Sequence, residues 1–487
     1  MSIRPLIAHR SPVAGLNRRR LSFLPVFAQS VAAVAPAGSM SVIPALILGS
    51  TGGSMLVAFG CATVVALLVS VCLRPMARRM SAVSGLYSYV ARGLGPLGAV
   101  PAGWSAIFGY ALIAMASLLA VGTYGSQMIE NLGFAAPGSV PLAVGITLAA
   151  AIVTGLLTVR GIRISARVTL FVECTAIVIM LVLMGTYLLI TRTEIHFTEA
   201  LTWDGNLKST AVGIVIAVSA FVGFESSSTL GGEAWKPLIS VPRAITWTPL
   251  ATGALYLLSV AWQNIALRAA PASVRLSSTP LTDLFSSQAL PLLAALFDLG
   301  IAASFFACAV ASVNALVRVL FCMGRERVAP EMLGRVHPRF ATPWVAILAV
   351  IPVIAAVPVA VILSGTTPAE GLTNLLMLGA YGYLGSYLLA CAASPLFLHR
   401  IGEGSRGAWI MGGVTTVILL LIGWEAVGVG GADGKLRTLV YVGFLAAAVV
   451  YTLALRWLAP ARLAAVGIYD ETRESDLLNG SLSGPAS

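Results

Sequence analysis

Residues 219–237 read SAFVGFESSSTLGGEAWKP. An apolar run that opens near residue 211 is interrupted here by Gly223, an acid at Glu225, the serines Ser226, Ser227 and Ser228, and the pair Gly231 and Gly232. Glycine weakens a helix interior, and serine offers the backbone competing hydrogen bonds. A charge at the centre of a bilayer costs roughly 2.5–3.5 kcal/mol even on lenient scales, so a carboxylate inside a span marks a functional position. The stretch therefore predicts a broken span with a titratable or gating group, Glu225, at the break.

A second interruption lies upstream. VAPAGSMSVIP (34–44) places Pro36, Gly38 and Pro44 inside an apolar run from Leu21 to Leu48. One straight helix over that run would reach about 42 Å, well beyond a hydrocarbon core of roughly 30 Å. A break near Pro36 to Ser39 resolves the mismatch, because proline lacks the N–H and crowds the preceding turn. The run is also far longer than a signal-peptide core and is expected to stay in the protein.

Working outward, the whole chain reads as membrane-embedded. Of its 487 residues 58% are hydrophobic and only 10% charged, against about 25% charged in soluble proteins. Mean hydropathy is +0.92. Such a surface excludes a soluble enzyme, a disordered chain and a nucleic-acid binder. Twelve segments are long and apolar enough to span: 21–48, 54–73, 97–123, 140–158, 168–190, 211–230, 245–267, 292–320, 344–363, 373–398, 408–427 and 438–458. They are continuously apolar, without the alternation a barrel strand requires. With the N-terminus placed in the cytoplasm, 24 Lys and Arg fall on that side and six on the other. The asymmetry predicts both termini cytoplasmic. The tail from Tyr469 is polar and expected to be disordered.

The two broken spans are the first and the sixth, each opening a set of five. Transporters built from inverted repeats place their site at the midplane, where discontinuous helices leave backbone groups free. Free N–H groups at the start of the second half of span one favour a carboxylate, and free carbonyls at the end of its first half favour an ammonium. An amino acid carries both. The backbone at Ala35–Ser39 and Val222–Ser226 is accordingly expected to be non-helical and to face a central cavity.

Other chemistry is thin. Among the acids in the spans are Glu173, Glu225 and Asp298; the first and last sit early in spans five and eight, toward an interface. His9, His196, His337 and His399 lie in tails or loops, and the six cysteines form no CxxC pair. No metal or cofactor is expected. HExxH, GxSxG, Walker A and paired-aspartate motifs are absent, which argues against a membrane-embedded lipid-modifying enzyme, the rival from another class. Ser304 and Ser312 on span eight are the residues that would favour sodium over a proton.

Three stretches carry a family resemblance. GFESSSTLGGEAWKPLISVPRAI (223–245), SGLYSYVARGLGPLGAVPAGW (84–104) and VRVLFCMGRERVAPEMLGRVHPRFATPWVA (317–346) resemble the signatures of the amino acid–polyamine–organocation superfamily. The resemblance implies an all-α membrane protein with a leucine-transporter-type fold. In it, repeats of five helices (21–190 and 211–398) precede two accessory helices (408–458), with tails at 1–20 and 459–487. It implies an amino-acid substrate in the cytoplasmic membrane, held by Ala35, Pro36, Ala37, Gly38 and Ser39 on span one. Met40 lies beside them, and Ser219, Phe221, Val222, Gly223 and Phe224 line the site from span six, with Glu225 matching the family's frequent span-six glutamate. The sequence departs from the pattern at three places. Ala37-Gly38-Ser39 replaces the usual Gly-Ser-Gly, the span-five segment FVECTAIVIM (171–180) lacks the lysine of some members, and Ser219 stands where some cationic-substrate exchangers carry tryptophan. A neutral or apolar amino acid, moved by proton coupling or exchange, is the expected substrate; a polyamine or cationic amino-acid exchanger is the alternative.

Overall fold

The computed structural model describes residues 15–467, apart from 17, 52–54, 192–205, 269, 276, 278–279 and 287–289. The expected disorder from Tyr469 onward and most of the N-terminal tail lie outside the described residues. Among the described residues eleven helices are long and apolar enough to cross a membrane. The shorter apolar helix Leu207–Val218 takes the sixth position in the series.

Span one comprises α1 (Phe23–Val34) and α2 (Pro36–Thr51). Span two is α3 (Met55–Ala77); a short helix α4 (Leu86–Gly93) leads into span three, α5 (Pro96–Asn131). Spans four and five are α6 (Val140–Arg160) and α7 (Ile162–Thr191). Span six is α8 (Leu207–Val218) followed by irregular turns, and span seven is α9 (Pro237–Arg268). Two short helices, α10 (Ala272–Arg275) and α11 (Pro280–Ser286), precede span eight, α12 (Pro291–Arg325). Spans nine to twelve are α13 (Trp344–Leu363), α14 (Pro368–Arg400), α15 (Arg406–Gly428) and α16 (Ala432–Leu458).

Several helices outrun their apolar windows. Span seven starts at Pro237, not near residue 245, because Pro242 and Arg243 end the hydropathy signal without ending the helix. Span twelve likewise starts at Ala432. Polar side chains set the starts of others: Asn206 accepts the N–H groups of Lys208 and Ser209 at α8, and Ser405 accepts that of Ala408 at α15. Such caps satisfy donors that a helix start leaves free.

Burial sorts the helices by role. In its most apolar stretch span one is 83% buried and span three 78%, whereas span twelve is 22% buried and spans nine and eleven 28%. Spans one, three, eight and ten form the centre together with the broken span six; four, nine, eleven and twelve turn apolar faces outward, as lipid-facing helices do. Arg318 sits inside span eight and is buried.

Candidate functional site

Both breaks exist, but they differ in form. At span one the interruption is confined to Ala35, whose φ of +48° is left-handed and unusual for a residue with a Cβ. Pro36 then starts α2, where its missing N–H and fixed φ are assets. The expectation of a non-helical stretch through Ser39 is therefore corrected: Pro36 to Ser39 are already helical.

Pro44 does not break the helix either. It leaves the carbonyl of Met40 without its i+4 donor, and Ser259 Oγ (2.8 Å) and Gln263 Nε2 (2.6 Å) from span seven donate to that oxygen instead. Neighbouring helices commonly re-satisfy a proline's partner in this way.

The start of α2 is accounted for group by group. Ser39 N–H donates to Ala35 O at 2.7 Å. Ala37 N–H donates to Glu173 Oε1 at 3.0 Å, and Gly38 N–H to Ser304 Oγ at 2.9 Å. Ser304 in turn donates to Glu173 Oε1 at 2.8 Å. Glu173 thus belongs to the break instead of an interface, and Ser304 is committed to this network. Gly38 lies so close to span eight that a Cβ there would meet the Phe305 ring at 2.8 Å. Gly38→Val is expected to cut uptake into proteoliposomes at least tenfold, on the order of the 1–3 kcal/mol that overpacking costs. Phe305→Ala in the same chain should recover part of the loss.

Span six breaks more extensively. After Val218 the backbone turns tightly: Ser219, Ala220 and Phe221 N–H groups reach back three residues, and a 3₁₀ turn covers Ser226–Leu230. Val222–Glu225 is non-helical as expected, whereas Ser226 already begins the 3₁₀ turn. Gly223 has φ +94°, and a Cβ there would stand 3.1 Å from Ala33 O of α1. The breaks of the two spans therefore touch.

Glu225 is fully buried at this point. Tyr110 of span three donates to its Oε1 at 2.8 Å, and Tyr387 of span ten donates to its Oε2. Gly223 N–H donates to Tyr387 Oη at 3.1 Å, which closes the loop from acid to backbone. Tyr256 of span seven donates to Ala220 O at 2.8 Å. Tyr383 packs edge-on against Tyr110, with ring centroids 5.1 Å apart. The sequence singled out Glu225 and placed Glu173 toward an interface, but passed over Tyr387 and Tyr256. The signal for the first of these was the i,i+4 pair Tyr383–Tyr387, which stacks aromatics on one helix face.

All of Ala35 to Met40, Ser219 and Phe221 to Glu225 are buried. None of them lines the main cavity, which corrects the expectation that they face it. That cavity, of about 410 Å³, begins just past them at Ser41 and Val42 of α2, Tyr124 of span three and Ile216 of α8. It opens at the end of the bundle poor in basic residues, beside Glu370, Asp433 and Arg437. Nearby, Asp298 accepts from Thr282 (2.6 Å) and Asn131 (2.8 Å), tying α11 to spans three and eight.

The opposite end is sealed. Arg318 Nε and Nη2 donate to Glu233 Oε1 at 2.9 and 2.8 Å, and its Nη1 donates to Asn314 O. Leu21 and Ala234 form a strand-like bridge, with Trp235 N–H on Leu21 O at 2.8 Å and Leu21 N–H on Glu233 O at 3.0 Å. Arg19 reaches Ser81 Oγ and Gly231 O. Among the described residues no three His, Cys, Asp or Glu side chains converge as a metal site would need.

Comparison with known proteins agrees with this architecture. Residues 21–464 match the family model described as amino acid permease. An uncharacterised transporter of Mycobacterium tuberculosis is 27% identical over 82% of this chain and 86% of its own length. The low-affinity putrescine importer PlaP of Escherichia coli is 24% identical over 68% of the chain and 73% of its own. A crystal structure of a single-residue variant of the Eremococcus coleocola manganese transporter superposes with a TM-score of 0.58, covering 92% of this chain and 95% of the other. At 14% identity that likeness carries the fold alone: helical, multi-pass and of the leucine-transporter type.

Proposed function

Because the chain belongs to the amino acid permease family and is a multi-pass membrane transporter, we propose that it moves a neutral amino acid across the cytoplasmic membrane, coupled to protons or to exchange. Both termini then lie in the cytoplasm, as the basic loops require, and the cavity opens outward.

The observation that carries the reading is Glu225 at the span-six break, held by Tyr110 and Tyr387 and linked through Tyr387 to Gly223 N–H. A carboxyl so placed couples its protonation to the backbone of a half-helix. The substrate would lie against Ala35 to Met40, Ser219 and Phe221 to Phe224 once the breaks part. Its ammonium would face the carbonyls at the end of α1 and at Ala220, its carboxylate the start of α2. The side chains there are small or apolar, and Glu225 is already engaged by two phenols, so nothing is reserved for a cationic side chain.

Competition in proteoliposomes tests the selectivity. Leucine, alanine or serine should displace a labelled neutral amino acid more effectively than arginine, agmatine or putrescine. The likeness to a putrescine importer favours the second reading, a polyamine or cationic exchanger. Stronger competition by arginine, agmatine or putrescine would establish it in place of the first.

A further inference from the structure

We propose that Glu173 of span five is a built-in stand-in for the substrate's carboxylate: it holds the anion-binding start of α2 closed, and an amino acid enters by displacing it. The inference rests on the amino-acid reading above and deepens it.

The start of α2 has two amides not used within the helix, those of Ala37 and Gly38. Both are taken, directly by Glu173 Oε1 and through Ser304 Oγ. A carboxylate bound at this helix start needs those same two N–H groups, so Glu173 and an amino acid's carboxylate exclude each other. The details distinguish a competitor from a strut. Glu173 is fully buried, yet among the described residues its second oxygen has no hydrogen-bond partner. Asp298, a strut by its geometry, has both oxygens satisfied. A buried carboxylate oxygen without a donor makes the closed arrangement costly to hold and readily exchanged for a better-satisfied anion.

The surroundings leave the helix start as the positive partner. Span one carries no titratable side chain and span four only its terminal Arg160; the titratable groups in electrostatic reach of Glu173 are Cys308 of span eight, Tyr256 of span seven and the adjacent Cys174. No Lys, Arg or His is among the groups that face it. Ionised Glu173 is the stronger competitor, because charge-assisted hydrogen bonds to backbone N–H exceed neutral ones. Amino-acid affinity should then rise as pH falls through the titration of Glu173.

The test is equilibrium binding of labelled leucine and serine to the purified full chain between pH 5.5 and 7.5, with leucinamide, which lacks the carboxylate, as comparator. Glu173→Gln keeps the shape and an accepting oxygen but removes the charge. It should bind leucine and serine about tenfold more tightly at pH 7.5, the factor by which a ten-to-one internal competitor lowers apparent affinity. The pH dependence of the amino acids should flatten, and leucinamide affinity should match that of the unchanged protein. Ser304→Ala, which removes the hydroxyl bracing Glu173, should shift leucine in the same direction by about threefold. Leucine binding in Glu173→Gln that equals the unchanged protein's or is weaker, with the same pH profile, overturns the inference while leaving the amino-acid reading intact. If the unchanged protein binds no labelled amino acid at any pH, the amino-acid reading falls and this inference with it.

Discussion

Glu225→Gln is expected to lower proton-driven accumulation of substrate at least tenfold while substrate-for-substrate exchange continues. The argument is one of donors and acceptors. Ionised Glu225 only accepts, and its two oxygens receive Tyr110 and Tyr387. Once protonated, one oxygen becomes a donor, and one phenol must reverse its role. Tyr387 is the phenol whose reversal matters, since it also accepts Gly223 N–H at 3.1 Å. Re-orienting its hydroxyl disturbs the residue whose positive φ shapes the span-six turn. Glutamine supplies one donor and one acceptor permanently, so it imitates the protonated acid and cannot cycle. Tyr387→Phe should weaken the same coupling with Glu225 still present. Measured as uptake in proteoliposomes with an imposed pH gradient, an unchanged pH profile in Glu225→Gln, or uptake that needs sodium, would refute proton coupling through this residue.

The second large effect is expected at the sealed end. Arg318 and Glu233 are both buried, and two guanidinium nitrogens share one carboxylate oxygen. Removing one partner leaves the other charge buried and unpaired, a loss of about 3–5 kcal/mol. Arg318→Ala or Glu233→Ala should therefore lower the detergent melting temperature markedly, whereas the pair Arg318→Met with Glu233→Leu should cost far less than the two single losses combined. Thermal unfolding of these variants beside the unchanged protein is the measurement. The pair also fixes the segment that carries Gly231 and Gly232, so the single variants should shift the carrier toward openness at the basic end. Single losses under about 1 kcal/mol would mean that the pair is solvated and seals nothing.

How much of this was legible in the sequence depends on how local each feature is. The spans and the broken sixth helix follow from composition within a window of twenty residues or so. The first break was located to within a residue, but its extent was misjudged. Pro36 and Pro44 read as breakers, yet the first sits where a helix start tolerates proline, and the second is rescued by Ser259 and Gln263, more than two hundred residues away. The same distance hid Glu173, which lies 136 positions from the amide it receives. Nothing local marks Arg318 either, because its partner Glu233 lies 85 positions away. A cavity was expected at the two breaks; it lies beyond them instead, enclosed by six spans and the segments between them, none of which marks itself as a lining.

The short bridge between Leu21 and Ala234 has a kinematic consequence. It joins the entry of the first broken span to the exit of the second. Two spans with independent hinges would have four combinations of posture. Main-chain pairing removes one degree of freedom, since neither α1 nor the 231–235 segment can tilt without carrying the other. Wherever the bridge holds, the two broken spans are constrained to one joint movement at this end.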